Sequence, residues 1–159
     1  MVQFVISGFY IIFLPVLVNQ YENKNKLFKI EYLKFSVLVV FSTIVLSIGI
    51  VWLINPLLEF LGKQEFKNQI DLLYLLLVSL SFLNFSLIPN MLLYITHNEK
   101  KLMLITGIIF LINIFLNFFL LKLFGINGAA ISLIITYLIS FILKSHKGYQ
   151  VWKKQIELF

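Results

Sequence analysis

Residues 102–121, LMLITGIIFLINIFLNFFLL, contain no Lys, Arg, Asp or Glu. After the single Lys122, the run LFGINGAAISLIITYLISFIL at 123–143 contains none either. A membrane-spanning helix needs about 20 predominantly apolar residues, because each adds about 1.5 Å across about 30 Å of hydrocarbon. The two runs therefore read as two spans joined by a tight turn. Outward from them, uncharged runs at 1–19, 35–58 and 72–98 meet or approach the same length. The expected fold is all-α: a polytopic membrane helix bundle of about five transmembrane helices over residues 1–143, followed by a tail at 144–159.

Composition agrees with that reading. Of 159 residues, 60% are hydrophobic, 16% aromatic and 13% charged. A soluble domain averages about 45–50% apolar and about 25% charged residues, since most of its surface must be solvated. An ordinary soluble enzyme, a disordered tail and a secreted disulfide scaffold are excluded. The chain has no cysteine, which removes thiol chemistry and Cys-based metal sites. The net charge of +6 comes from lysines alone, set in short clusters between the apolar runs. Nucleic-acid recognition leans on arginine for bidentate contacts, so no nucleic-acid partner is expected.

The lysines orient the bundle. Lys24, Lys26, Lys29, Lys34, Lys100, Lys101, Lys144, Lys147, Lys153 and Lys154 fall on one side of the alternating spans, and Lys63, Lys67 and Lys122 on the other. Cytoplasmic loops carry the excess of Lys and Arg. The N-terminus is therefore expected outside and the C-terminus in the cytoplasm, and an odd number of spans starting outside suggests that something preceded Met1. The first run has neither a basic n-region nor a small-residue cleavage site, so it reads as a helix rather than a signal peptide. Pro15 and Pro89 lie inside runs, where they kink a membrane helix without ending it.

Between the last two runs, Gly125 suits a helix end and Asn127 the cap of the next helix, making a tight hairpin with Gly128 just beyond. Residues 55–70, with Pro56, Gly62, Lys63, Glu65 and Lys67, read as a longer outer loop, and Asp71 as a cap at its end. In the tail, Tyr149, Trp152, Ile156 and Phe159 recur at helical spacing, away from Lys153, Lys154 and Glu157. This predicts a short basic amphipathic helix anchored on the membrane surface by Trp152, Lys153 and Lys154, in contact with lipid. A docking site for a partner protein is the alternative.

Polar residues inside the runs form stripes. Gly128, Ser132, Thr136 and Ser140 repeat every four residues; Thr106, Asn113 and Asn117 lie close to one face; so do Ser79, Ser86 and Asn90, with Ser81 and Asn84 on another side; Ser36, Thr43 and Ser47 align. Such stripes serve helix packing, where small residues allow close approach and Ser, Thr and Asn bond across helices, or they line a shared polar cavity. Asn84, Asn113 and Asn117 sit deepest, where an amide needs a partner. With Ser132 and Thr136 they are the candidates for a cavity or a seam. No ionisable residue lies deep in a run, so no proton relay is expected. His97 and His146 sit beside lysines as solvated groups. Nothing in the spacing supports a metal site, a cofactor or a catalytic residue.

The residues Asn113-Ile114-Phe115-Leu116-Asn117, then Phe124-Gly125-Ile126-Asn127-Gly128-Ala129-Ala130-Ile131-Ser132 and Tyr137, resemble the late helices of polysaccharide flippases. These are the O-antigen-type transporters of the multidrug/oligosaccharidyl-lipid/polysaccharide export superfamily. Their penultimate helix carries N-x-x-x-N, followed by an outer G-x-x-G-A-A turn and a last helix with a tyrosine. Pro15 and Leu61-Gly62 are also similar. The resemblance implies a carrier of about 12 to 14 helices in two lobes that rock around a central cavity. Such carriers move polyprenyl-pyrophosphate-linked oligosaccharide across the bacterial inner membrane for lipopolysaccharide and other surface polysaccharide assembly. The five runs would be the last five helices, inactive without an N-terminal lobe supplied in cis or in trans. The family is expected to bind pyrophosphate with cationic residues in its cavity. No run here contains one, so those residues would lie in the other lobe. The alternative is a small non-transporting membrane subunit or scaffold. A multidrug-type exporter would call for an acidic coupling residue within the membrane, and the runs have none.

Overall fold

The computed structural model describes residues 2–62, 67 and 69–156, without the side chains of 155 and 156. Lys63, Glu65, Glu157, Phe159 and the side chain of Ile156 lie outside the described residues. The described residues form five α-helices and no strand: α1 Val2–Glu22, α2 Leu27–Phe60, α3 Ile70–Ile95, α4 Glu99–Phe124 and α5 Ile126–Val151. A π-helical turn, Trp152–Ile156, follows α5. All five helices are long and apolar enough to cross a membrane. The bundle leaves large side chains such as Phe4, Trp52, Phe110, Phe115 and Phe119 exposed on its outer faces. Water would penalise that arrangement, whereas a hydrocarbon solvent does not.

Each apolar run lies mainly within one helix, but the helices overrun the uncharged stretches. α2 starts at Leu27 and takes in Lys29, Glu31 and Lys34, with Lys34 and Glu31 paired at 2.7 Å one turn apart. Its 34 residues span about 51 Å, more than a bilayer's hydrocarbon core, so α2 either tilts or projects beyond it. At its far end α2 includes Pro56, which the sequence reading placed in a loop. Proline also sits inside α1 at Pro15 and inside α3 at Pro89. Beyond α2, Lys67 reaches back to Glu59 at 2.8 Å.

Two expected caps are absent. α5 begins at Ile126 with Gly125 as its N-cap, so Asn127 lies within the first turn and makes no cap hydrogen bond. α3 is flanked by Gln69, again without a side-chain cap, and Asp71 falls in the first turn. There its carboxylate faces the positive end of the helix dipole instead of a single amide.

α3 is the central helix. It packs most extensively on α5, and also on α2 and α1, while α4 is held chiefly by α5. On one side of α3, Ile6, Leu17, Phe28, Phe35, Met91 and Ile95 form the apolar core with α1 and α2. The Phe35 ring meets Tyr10 edge-on at 6.4 Å and Phe13 at 5.7 Å. Along α5 the buried residues are small, Gly128, Ala130, Ser132, Thr136, Ser140 and Gly148, and α3 adds Ser79 and Ser86. Small residues bring the backbones close, so dispersion and weak polar contacts accumulate along the crossing. A Cβ at Gly148 would stand 3.3 Å from the Pro89 Cβ.

α5 runs unbroken through residue 144 to Val151. Lys144, Ser145, His146 and Lys147 contain no helix breaker, and Gly148 is held against Pro89 and Leu92. Trp152, just beyond α5, is half-buried. Its ring lies 5.4 Å from that of Tyr32, tying the end of α5 to the start of α2. Lys153 and Lys154 are exposed. The Tyr32 hydroxyl donates to the Ile88 carbonyl at 3.1 Å, next to Pro89. Tyr32→Phe is expected to lose about 1 kcal/mol of stability, the net value of one such bond, measurable as a lower unfolding midpoint in detergent.

Candidate functional site: a polar seam between α4 and α5

The seam is built around a one-residue hinge. Gly125 closes α4 and opens α5 with φ 57° and ψ −142°, a backbone region close to glycine-only. Its N–H bonds the Leu121 carbonyl at 3.0 Å, and its own carbonyl accepts from the Gly128 N–H at 2.9 Å. The chain reverses at once, so α5 starts against the last turn of α4. At Gly128 the approach is closest: a Cβ there would overlap the backbone carbonyl of Leu120. The sequence predicted a glycine turn; the structure adds that Gly128 is required by contact and not by its torsion angles.

From this hinge the two helices run side by side with their polar stripes facing. Asn113 Nδ2 donates to Thr136 Oγ1 at 3.1 Å, and Asn117 Nδ2 to Asn113 Oδ1 at 2.9 Å. The Ser132 hydroxyl lies 2.8 Å from both Asn117 Oδ1 and the Ala129 carbonyl. Its single proton serves one of them at a time. Four of the five candidate residues thus form one hydrogen-bonded chain across the hairpin. Ser132 and Thr136 are 0% and 2% exposed, whereas Asn113 and Asn117 are only half-buried. Each asparagine amide has two N–H groups, and the bonds just given use one from each.

The fifth candidate stands apart. Asn84 is fully buried on α3, and neither its Nδ2 nor its Oδ1 has a partner among the described residues. The buried Thr43 hydroxyl on α2 is in the same condition. Ser79, Ser81 and Ser86 instead turn back onto carbonyls of their own helix at 2.7–2.9 Å. That arrangement satisfies the hydroxyls without binding another helix.

Together these features describe a polytopic helical membrane protein with a hydrogen-bonded polar seam in its last hairpin. No family model, curated protein or solved structure matches the chain.

Proposed function

We propose that the chain is the C-terminal portion of a carrier, not an enzyme, that flips polyprenyl-pyrophosphate-linked oligosaccharide across the bacterial inner membrane, its C-terminus cytoplasmic. One observation carries this reading. The residues that resemble the O-antigen-type flippases are those that build the hairpin: Asn113 and Asn117 on α4, Gly125 at the hinge, Gly128 against Leu120, and Ser132 closing the chain of bonds. The half-buried faces of Asn113 and Asn117 are the part of the seam that another lobe, or a substrate cavity, would cover. An amide left facing hydrocarbon is costly.

The reading is tested at the locus. Sequencing upstream of the Met1 codon is expected to reveal an open frame encoding about seven further apolar helices, in phase or one frameshift away. A stop codon and a ribosome-binding site, with no transporter half nearby, would remove the flippase mechanism. In the intact carrier, replacing both Asn113 and Asn117 by leucine is expected to reduce surface polysaccharide at least about tenfold at normal protein level, the equivalent of about 1.4 kcal/mol.

A non-transporting membrane subunit is the second reading. It is favoured by the burial of Ser132 and Thr136 and by their bonding within the hairpin, since a seam satisfied internally needs only to pack. Under it, stripe variants that still assemble would restore whatever activity a deletion removes.

A further inference from the structure

At the lysine-rich end of the bundle a cavity of about 470 Å³ opens between the end of α1, the end of α3 and the start of α4. Leu14, Val18 and Glu22 line it from α1 at intervals of four residues, on one face of the helix. Toward the helix end, that face passes from apolar to acidic. Ile95 adds an apolar wall from α3, and Tyr94 an aromatic one. His97, in the connection to α4 with φ 56°, and Glu99, in the first turn of α4, complete the polar end. Glu22 and Glu99 enter no ion pair among the described residues, whereas Glu31 and Glu59 each hold a lysine. Among the described residues no lysine lines the cavity, and residues 157–159 are Glu, Leu and Phe.

We infer that this cavity binds the ammonium headgroup of phosphatidylethanolamine, with Glu22 and Glu99 as acceptors and an acyl chain along Leu14, Val18 and Ile95. Two carboxylates at an end of the bundle otherwise dominated by lysine select a cation. The apolar walls select one carried on a hydrocarbon chain. A primary ammonium brings three N–H donors and bonds carboxylates directly, whereas the trimethylammonium of phosphatidylcholine has none. An ethanolamine phospholipid also carries a phosphate, to which a ring N–H of His97 can donate. Tyr94, at 41% exposure, suits the level at which chains meet headgroups. The site is independent of the flippase reading, because it needs only α1, α3 and the start of α4.

The test replaces both tryptophans, Trp52 and Trp152, by phenylalanine and places a reporter in the cavity wall with Tyr94→Trp. The protein is reconstituted in vesicles of phosphatidylcholine mixed with phosphatidylethanolamine or phosphatidylglycerol, one species at a time brominated on its acyl chains. Brominated phosphatidylethanolamine is expected to quench the reporter with about fivefold higher apparent affinity than brominated phosphatidylcholine. Brominated phosphatidylglycerol should do no better than phosphatidylcholine. The double change Glu22→Gln with Glu99→Gln should bring the ratio to about one, whereas Glu31→Gln, at the same end of the bundle but paired with Lys34, should leave it. Val18→Phe, which fills the cavity from α1, should lower quenching by every lipid. Lipid retained by the unaltered protein through detergent purification from the same mixtures should show the same preference. Equal binding of phosphatidylethanolamine and phosphatidylcholine in both measurements would overturn the proposal. So would a preference that survives the loss of both carboxylates, or one lost equally with Glu31. Displacement of phosphatidylethanolamine by millimolar free ethanolamine would overturn the lipid as occupant in favour of a soluble amine.

Discussion

Gly128→Ala is expected to destabilise the folded bundle by about 3 kcal/mol, the upper end of the cost of overpacking. A new Cβ at this position overlaps the Leu120 carbonyl, which is backbone and cannot rotate aside as a side chain could. Relief requires α5 to move away from α4, and the hydrogen bonds from Asn113 to Thr136 and from Ser132 to Asn117 then lengthen with it. Two effects therefore fall together: steric displacement and loss of the seam. Gly107→Ala is the matched control. It lies in mid-α4 with nothing within 4 Å of a new Cβ, so it should be neutral or stabilising by about 0.5–1 kcal/mol through reduced backbone entropy. Denaturant titration of both variants in the same detergent measures the difference. Equal midpoints would show that α4 and α5 are farther apart at the hinge than the structure has them.

The same hinge explains which parts of the site could be read from the sequence. A four-residue repeat puts Gly128, Ser132, Thr136 and Ser140 on one face of a helix whatever surrounds it, and the structure buries all four. The pairing of that face with α4 was also present in the numbering. Asn117 and Ser132 lie eight and seven residues from Gly125, and Asn113 and Thr136 lie twelve and eleven. A one-residue turn makes neighbours of residues whose distances from the hinge differ by one, so the register could have been taken from Gly125 alone. Helix ends were less legible. Uncharged runs mark what hydrocarbon tolerates, but Lys29, Glu31, Lys34 and Lys144 are compatible with a helix and do not stop one. Asn127 and Asp71 looked like caps because capping residues are also common in first turns. The position of Trp152 depends on Tyr32, 120 residues away, and no local pattern carries that contact.

The lone Asn84 leads to the second large effect. Asn84→Leu is expected to stabilise the fold by about 2 kcal/mol, because each buried polar group left without a partner costs about 1–3 kcal/mol and leucine fills nearly the same space without that cost. Most single substitutions destabilise, so a gain at a fully buried site is a distinctive result. The contrast within the chain sharpens it. Asn117→Leu removes a bond that exists, leaving Ser132 to its own helix carbonyl, and should lower stability by about 1 kcal/mol. Unfolding midpoints of the two variants should therefore move in opposite directions. A residue kept against its effect on stability is the pattern expected of function. In the proposed carrier, Asn84→Leu should combine a raised midpoint with reduced surface polysaccharide. If the midpoint falls instead, the amide is satisfied in the bilayer by an ordered water or by another lobe. In the proposed carrier, Asn84 and not the α4–α5 seam would then be the place to look for contact with the other lobe.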